Sequence, residues 1–323
     1  MPRQKVLLLP LTRLFHPWCD DVIQAIGGRH DLSVFDESHP IVPQFDGVDV
    51  VIDHGGSVGT REMMDAATDA RLWQILGTGF DHFDLDYIRT RRIAVANCPG
   101  QFSSVALAET AFMFILMLAH KYPQAASNFE SGVFNEAVGR ELNGLKLGVI
   151  GFGASGQELA RRAKAFGMRI LAIDVRTIEP EILREIKPNL MGTPADLDDV
   201  VSESDFLSLH LHLNPATRRI MDARRIALMK STACLINVAR GALVDESALH
   251  QALSNGKLGG AGLDVFAQEP PDPNLPVFQL PNVVVTPHIA GVTYQTSLKR
   301  AACAAENVDR LAQGLTPLYR IDV

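Results

Sequence analysis

The 323-residue chain has only four cysteines, and no two of them form a C-x-x-C pair. Cys19, Cys98, Cys234 and Cys303 are too widely scattered for a disulfide framework or a zinc cluster. That spacing implies no metal site and fits a reducing, cytoplasmic setting. Long apolar runs are also missing. The most apolar stretch, AFMFILMLA at 111–119, covers nine residues, about half a membrane span. At the N-terminus, MPRQKVLLLPLTRLF is interrupted by Arg13 too early for a secretory core, and it reads as a first strand. No excess of positive charge exists either: the net charge is −7, the pI about 5.8, and no Lys/Arg block appears. Nucleic acid and anionic membrane are therefore excluded as expected partners.

What remains is an ordinary globular composition, 47% hydrophobic and 21% charged. The length exceeds one comfortable core, so two domains are expected. Short β-branched or aliphatic runs alternate with helical stretches throughout, the pattern of α/β layers around parallel sheets. The first series of strands reads KVLLLP, LSVF, VDVVIDH, WQILGT and IAVANC; the second reads LKLGVIG, RILAID, FLSLHL, ACLINV, GAGLDV and VVVTP. A long buried helix at 103–120 lies between them, with Glu109 facing something polar, and a last helix spans roughly 293–313 before a closing LYRIDV. The expected architecture is two doubly wound sheets. A discontinuous first domain (1–102 plus 290–323) holds a continuous second one (103–289). The Pro-rich 269–281 is the single extended loop, stiffened by its prolines.

The clearest local signal is KLGVIGFGASGQELARRAKAFGMRILAID. Gly151, Gly153 and Gly156 form G-x-G-x-x-G directly after an apolar strand and at the start of a helix, and Asp174 ends the next strand. Gly151 permits the tight turn, Gly153 lets backbone approach a pyrophosphate, and Gly156 lets helix and strand pack closely. The helix N-terminus offers unpaired N–H groups to phosphate. Asp174 would accept from the ribose hydroxyls and repel a 2′-phosphate, which favours NAD over NADP, although Arg176 two residues on favours the opposite choice.

Strand ends in such a sheet face the ligand crevice. In LINVARGALVDE, Val238, Ala239 and Arg240 end a buried strand; in GLDVFAQEP, Asp264 ends one and Glu269 precedes the proline loop; in VVVTPHIAG, His288 follows the last. A lone histidine after an apolar run is most often a satisfied structural group, and an arginine at a strand end can serve a structural ion pair. Together, however, an arginine, a carboxylate and a histidine suit hydride transfer to a 2-oxo acid. Arg240 would grip the carboxylate by a two-pronged contact. His288 would give a proton to the carbonyl oxygen, and Glu269 would orient the imidazole and favour its protonated form.

At these residues the chain resembles the D-isomer-specific 2-hydroxyacid dehydrogenases, relatives of phosphoglycerate dehydrogenase and glyoxylate/hydroxypyruvate reductase. The resemblance covers essentially the whole chain. It rests on GFGASG, NVARGALVDESAL, GAGLDVFAQEP and VTPHIAG in that order, with LGTGFDHFDLDYIRTRRIAVANCPG in the first domain. It implies a Rossmann NAD-binding domain inserted into a flavodoxin-like substrate domain, and a catalytic trio of Arg240, Glu269 and His288. It also implies cofactor contacts at Ala154, Ser155, Asp174, Thr217, Val238, Ala239, Arg240, Asp264 and from His288 through Ala290 and Gly291. Substrate contacts would come from Gly56, Ser57, Thr78 and Gly79 beside Arg240. A homodimer built on the cofactor domains is a further implication.

Departures from the family pattern narrow this reading. His212 stands where relatives usually carry proline, and it is expected to do no chemistry. His54-Gly55-Gly56 replaces the arginine typical of phosphoglycerate-specific members, leaving His54 or Arg61 as substitutes. Ending at 323, the chain has no room for an appended regulatory domain, and glutamate rather than glutamine at 269 argues against formate dehydrogenase. The expected function is NAD-dependent interconversion of a small D-2-hydroxy acid and its 2-oxo acid, such as glyoxylate or hydroxypyruvate. Phosphoglycerate dehydrogenase is one alternative, and an NAD(H)-sensing corepressor-like protein is another of a different class.

Overall fold

A computed structural model describes residues 1–11, 16–54 and 59–323. The chain divides into two compact units, 1–102 with 292–323, and 103–291.

The first unit is built on a five-stranded, all-parallel sheet. Its strands are β1 (Lys5–Leu9), β2 (Asp31–Val34), β3 (Val50–Asp53), β4 (Leu72–Ile75) and β5 (Ala94–Ala96), in the order β2-β1-β3-β4-β5. This is the flavodoxin-like order, with its reversal between β1 and β3. β3 and β4 are buried at every position, as expected of near-continuous apolar strands covered on both faces. One face carries Val6, Leu8, Ile52 and Leu72 against Val22, Ile26, Ala304 and Val308. The other packs Leu7, Val51, Trp73 and Ile75 around Phe45 and Met64. The helix Tyr294–Ala312, capped by the Thr293 side chain accepting from the Thr296 N–H, belongs to this unit. It lays small residues (Ala301, Ala304, Ala305) on the sheet, so helix and strands approach closely. The closing LYRIDV contributes one antiparallel bridge, Arg320 to Ala96, rather than a strand.

The second unit has seven parallel strands: β6 (Lys146–Ile150), β7 (Arg169–Ile173), β8 (Leu190–Gly192), β9 (Phe206–Leu209), β10 (Cys234–Asn237), β11 (Gly260–Leu263) and β12 (Val283–Val285). Their order is β12-β11-β10-β9-β6-β7-β8, the dinucleotide-binding arrangement extended by one strand, with its reversal between β6 and β9. β8 was not legible in the sequence, because a three-residue edge strand without β-branched residues leaves no run. The helix Ser104–Ala119 is apolar nearly all round and is buried accordingly, with Phe114 and Ile115 fully enclosed. Its one acid, Glu109, accepts from Arg162 Nη2 at 3.2 Å, the polar partner its position required. A second helix, Tyr122–Glu130, follows with no buried residue. Among the described residues no single helix is long and apolar enough to cross a membrane.

Candidate active site

The site is assembled at the carboxyl ends of the parallel strands of the second unit. Gly151 follows β6 with φ +95°, and a Cβ placed there would sit 2.4 Å from the His210 carbonyl oxygen. Only glycine fits both the backbone angle and the close approach. Gly156 is pressed as tightly, its added Cβ lying 2.3 Å from the Gly151 oxygen, which fixes the helix Ala154–Ala165 against the turn. At Gly153 the nearest atom to an added Cβ is Arg176 Nη2 at 3.5 Å. The helix begins at the exposed Ala154 with no side-chain cap, so its first N–H groups are open to an anion. This cradle fits a dinucleotide pyrophosphate.

Asp174, at the end of β7, is buried and fully engaged. One oxygen accepts from the Phe152 N–H at 2.8 Å, the other from the Arg176 N–H at 2.9 Å, and the Arg176 guanidinium reaches both. Burial opposes its charge. The bonds from Arg176 and from the Phe152 N–H outweigh burial and hold the carboxyl below its usual range.

Three strand ends bring the remaining groups together. β10 ends at Asn237, which bonds to both ends of the turn that follows: its Oδ1 accepts from the Ala239 N–H, and its Nδ2 donates to the Arg240 carbonyl at 2.8 Å. Val238 and Ala239 are buried behind Arg240. Gly241 explains why this turn can lie against the next one, since a Cβ there would meet the Phe266 carbonyl carbon at 1.9 Å. The turn after β11 carries Glu269, whose Oε1 accepts from the Phe266 N–H at 3.0 Å. Its Oε2 meets His288 Nδ1 at 2.7 Å. Burial raises the Glu269 carboxyl, but the bonds from His288 and Phe266 and the charges of His288 and Arg240 hold it below the usual range. The carboxylate is thus ionised at neutral pH and lies in the field of both other members of the trio.

His288 adopts φ +55°, an unusual backbone for a ring-bearing residue. The strain is held by Asp264. Its oxygens accept from Thr286 Oγ1 (2.6 Å), the Ile289 N–H (2.8 Å) and the Ala290 N–H (2.9 Å), and its carbonyl accepts from the His288 N–H (2.8 Å). Asp264 itself is completely buried, and burial pushes its carboxyl up despite the three donors on that carboxyl and the nearby imidazole. Thr217 ties its own loop, accepting from the Asn214 N–H and donating to the His212 carbonyl at 2.7 Å. His212 is exposed there.

Sequence reasoning missed His210, which follows β9 beside the strand-order reversal. Its Nδ1 lies 2.9 Å from Ser155 Oγ and its Nε2 2.9 Å from Ser208 Oγ. Position after a strand was its only signal. In the first unit, Thr78 and Gly79 follow β4 and are half-buried, and the Thr78 carbonyl accepts from Asn97 Nδ2 at 2.8 Å. Gly56 and Ser57 lie outside the described residues. No cluster of metal-ligating side chains occurs among the described residues.

Comparison with known proteins follows the same lines. Residues 112–290 match the family model described as D-isomer specific 2-hydroxyacid dehydrogenase, NAD binding domain. The chain belongs to the D-isomer specific 2-hydroxyacid dehydrogenase family, and it is an oxidoreductase acting on CH–OH groups. It is 37% identical over 262 residues to a hydroxypyruvate reductase of Thermotoga maritima, covering 80% of this chain and 82% of that one. It is 37% identical over 270 residues to a D-3-phosphoglycerate dehydrogenase of Methanocaldococcus jannaschii, covering 82% of this chain but only 50% of that protein's length. Its fold matches that of a D-lactate dehydrogenase of Aquifex aeolicus solved with NAD and lactic acid. The TM-score is 0.81, with 29% identity and 96% of each chain covered.

Proposed function

We propose that this protein is an NAD-dependent reductase or dehydrogenase of a small, unphosphorylated D-2-hydroxy acid, of the glyoxylate or hydroxypyruvate kind. The observation that carries the reading is the His288–Glu269 contact at 2.7 Å, with the Arg240 charge acting on the same carboxylate. When bound, the nicotinamide supplies or accepts the hydride. Arg240 binds the substrate carboxylate and polarises the carbonyl. His288 donates the proton to the carbonyl oxygen in reduction and takes it back in oxidation. Glu269 orients the ring through Nδ1. Gly56, Ser57, Thr78 and Gly79 are assigned the remaining contacts to the acid.

Two observations favour an unphosphorylated substrate over phosphoglycerate. Burial, reinforced by the Arg300 charge, pushes His54 down to about 4, so it is neutral at physiological pH. The Arg61 guanidinium already holds Asp84 through Nε at 2.8 Å and stacks on Tyr87. Neither group supplies the uncommitted cation that the phosphate of such a substrate would need beside its carboxylate.

NAD is the preferred cofactor in this reading, because Asp174 remains an ionised acceptor at the end of β7. The cofactor unit also exposes Phe129 (74%), Phe134 (71%) and Val138 (80%), and it carries a groove lined by Phe112, Met113, Leu116 and Phe166. Apolar area of that kind supports pairing with a second copy, hence a homodimer. Four buried, unpaired thiols support a cytoplasmic setting.

The test is a panel of glyoxylate, hydroxypyruvate, pyruvate, longer 2-oxo acids and phosphohydroxypyruvate, each with NADH and NADPH. Turnover greatest for a small unphosphorylated acid with NADH is the expected result. Tight NADH binding without turnover of any acid would overturn the enzymatic reading.

A further inference from the structure

Ser208, His210 and Ser155 form one hydrogen-bonded chain in the cofactor unit. Ser208 lies within β9, completely buried between its partners on β6 and β10, Val149 and Ile236. Its hydroxyl meets His210 Nε2 at 2.9 Å, and His210 Nδ1 meets Ser155 Oγ at 2.9 Å. Ser155 is half-buried, the second residue of the helix that opens the glycine turn. Burial pushes His210 down to about 4, so at neutral pH its ring carries one N–H donor and one acceptor nitrogen.

Only two arrangements of protons satisfy that ring. In the first, the Ser208 hydroxyl donates to Nε2, Nδ1–H donates to Ser155 Oγ, and the Ser155 hydroxyl proton points away from the ring. In the second, Nε2–H donates to Ser208 Oγ and the Ser155 hydroxyl donates back to Nδ1. Among the described residues, His210 is the one hydrogen-bond partner of the Ser208 hydroxyl. The second arrangement therefore strands a buried hydroxyl proton, which is the costlier state. The first leaves nothing buried unpaired, because the outward proton sits on the accessible serine.

We propose that His210 is a positioning residue for the dinucleotide phosphate. Through the Nδ1–H tautomer that Ser208 imposes, it turns the Ser155 hydroxyl into a hydrogen-bond donor directed to the open N-terminus of the Ala154–Ala165 helix. An anion there gains a side-chain donor beside the backbone N–H groups of the first turn. This rests on the dinucleotide-binding reading of the glycine turn. It adds a proton arrangement set from inside the sheet, two residues back along β9.

The test measures binding to the full-length protein. NADH is titrated by fluorescence, and ADP-ribose and adenosine are measured by competition against it. His210→Leu should weaken NADH and ADP-ribose about tenfold or more, while adenosine changes less than twofold. His210→Asn, whose side-chain amide places a donor where Nδ1–H stood, should restore NADH to within threefold of the unaltered protein. Nitrogen chemical shifts of the His210 ring should show the Nδ1–H tautomer, and Ser208→Ala should abolish that preference. Where His210→Leu does not fold, Ser155→Ala supplies the same comparison of phosphate-bearing and phosphate-free probes. An Nε2–H tautomer in the unaltered protein, undiminished NADH binding by His210→Leu, or equal losses for adenosine and ADP-ribose would overturn the proposal. Failure of the unaltered protein to bind NADH would instead overturn the dinucleotide reading itself.

Discussion

His288 Nδ1 and Glu269 Oε2 are 2.7 Å apart, and the other Glu269 oxygen is anchored on the Phe266 N–H. The carboxylate is therefore fixed from one side by backbone and presents its remaining oxygen to the ring. That contact commits Nδ1 to the carboxylate and leaves Nε2 as the ring atom for proton exchange. Replacing His288 with alanine is expected to lower kcat by about 10²–10⁴-fold. NADH affinity, read by fluorescence titration, should stay within about twofold. Retained turnover would move the acid/base role to another group.

Glu269→Gln keeps the shape but removes the anion. Because the native carboxyl is held below its usual range, it is charged throughout the neutral region. Its loss removes a partner of the protonated imidazole, so reductase activity should fall off at a lower pH than in the unaltered protein. The pH profile of kcat/KM is the measurement, and an unshifted profile would take Glu269 out of the reaction.

Asp264 does its work through four donors in the Thr286–Ala290 turn, including the His288 N–H on its carbonyl. Asp264→Asn places an amide N–H against one of the backbone N–H groups. A destabilisation of about 1–3 kcal/mol is expected from the buried polar mismatch. Thermal unfolding reads that loss, and kcat should drop with it because the strained φ of His288 is no longer enforced.

Asp174→Ala should weaken NADH at least tenfold and leave Arg176 without its carboxylate partner. The released guanidinium then favours a 2′-phosphate, so the NADPH/NADH ratio of kcat/KM should rise. Steady-state kinetics with both cofactors decide this, and an unchanged ratio would remove Asp174 from cofactor choice.

Stability should decline on mild acidification. His210 and His54 both titrate near 4 in the fold against an ordinary 6.5. Between those values the unfolded chain binds more protons than the native one, so stability rises with pH across that window. It is fully present above about 6.5 and lost as pH falls towards 4. Denaturant unfolding at pH 7 and pH 5 should show the loss, and His210→Asn should shrink it.

The sequence by itself determined the layered α/β class, the glycine turn and the acid after it, and the order in which Arg240, Glu269 and His288 leave their strands. Those features are local. Apolar period, glycine spacing and strand-end position all act within a few residues of the chain. The extent of the helix Ser104–Ala119 and the need of Glu109 for a polar partner were legible for the same reason. What only the tertiary structure decided is which groups spend their hydrogen bonds on one another. Arg61 goes to Asp84, 23 residues away, and Arg176 closes on Asp174. Asp264 bonds to a turn 22 to 26 residues further on. Ser155 and His210, 55 residues apart, meet because β6 and β9 are neighbours in the sheet. Strand order sets those encounters, and no spacing along the chain encodes them.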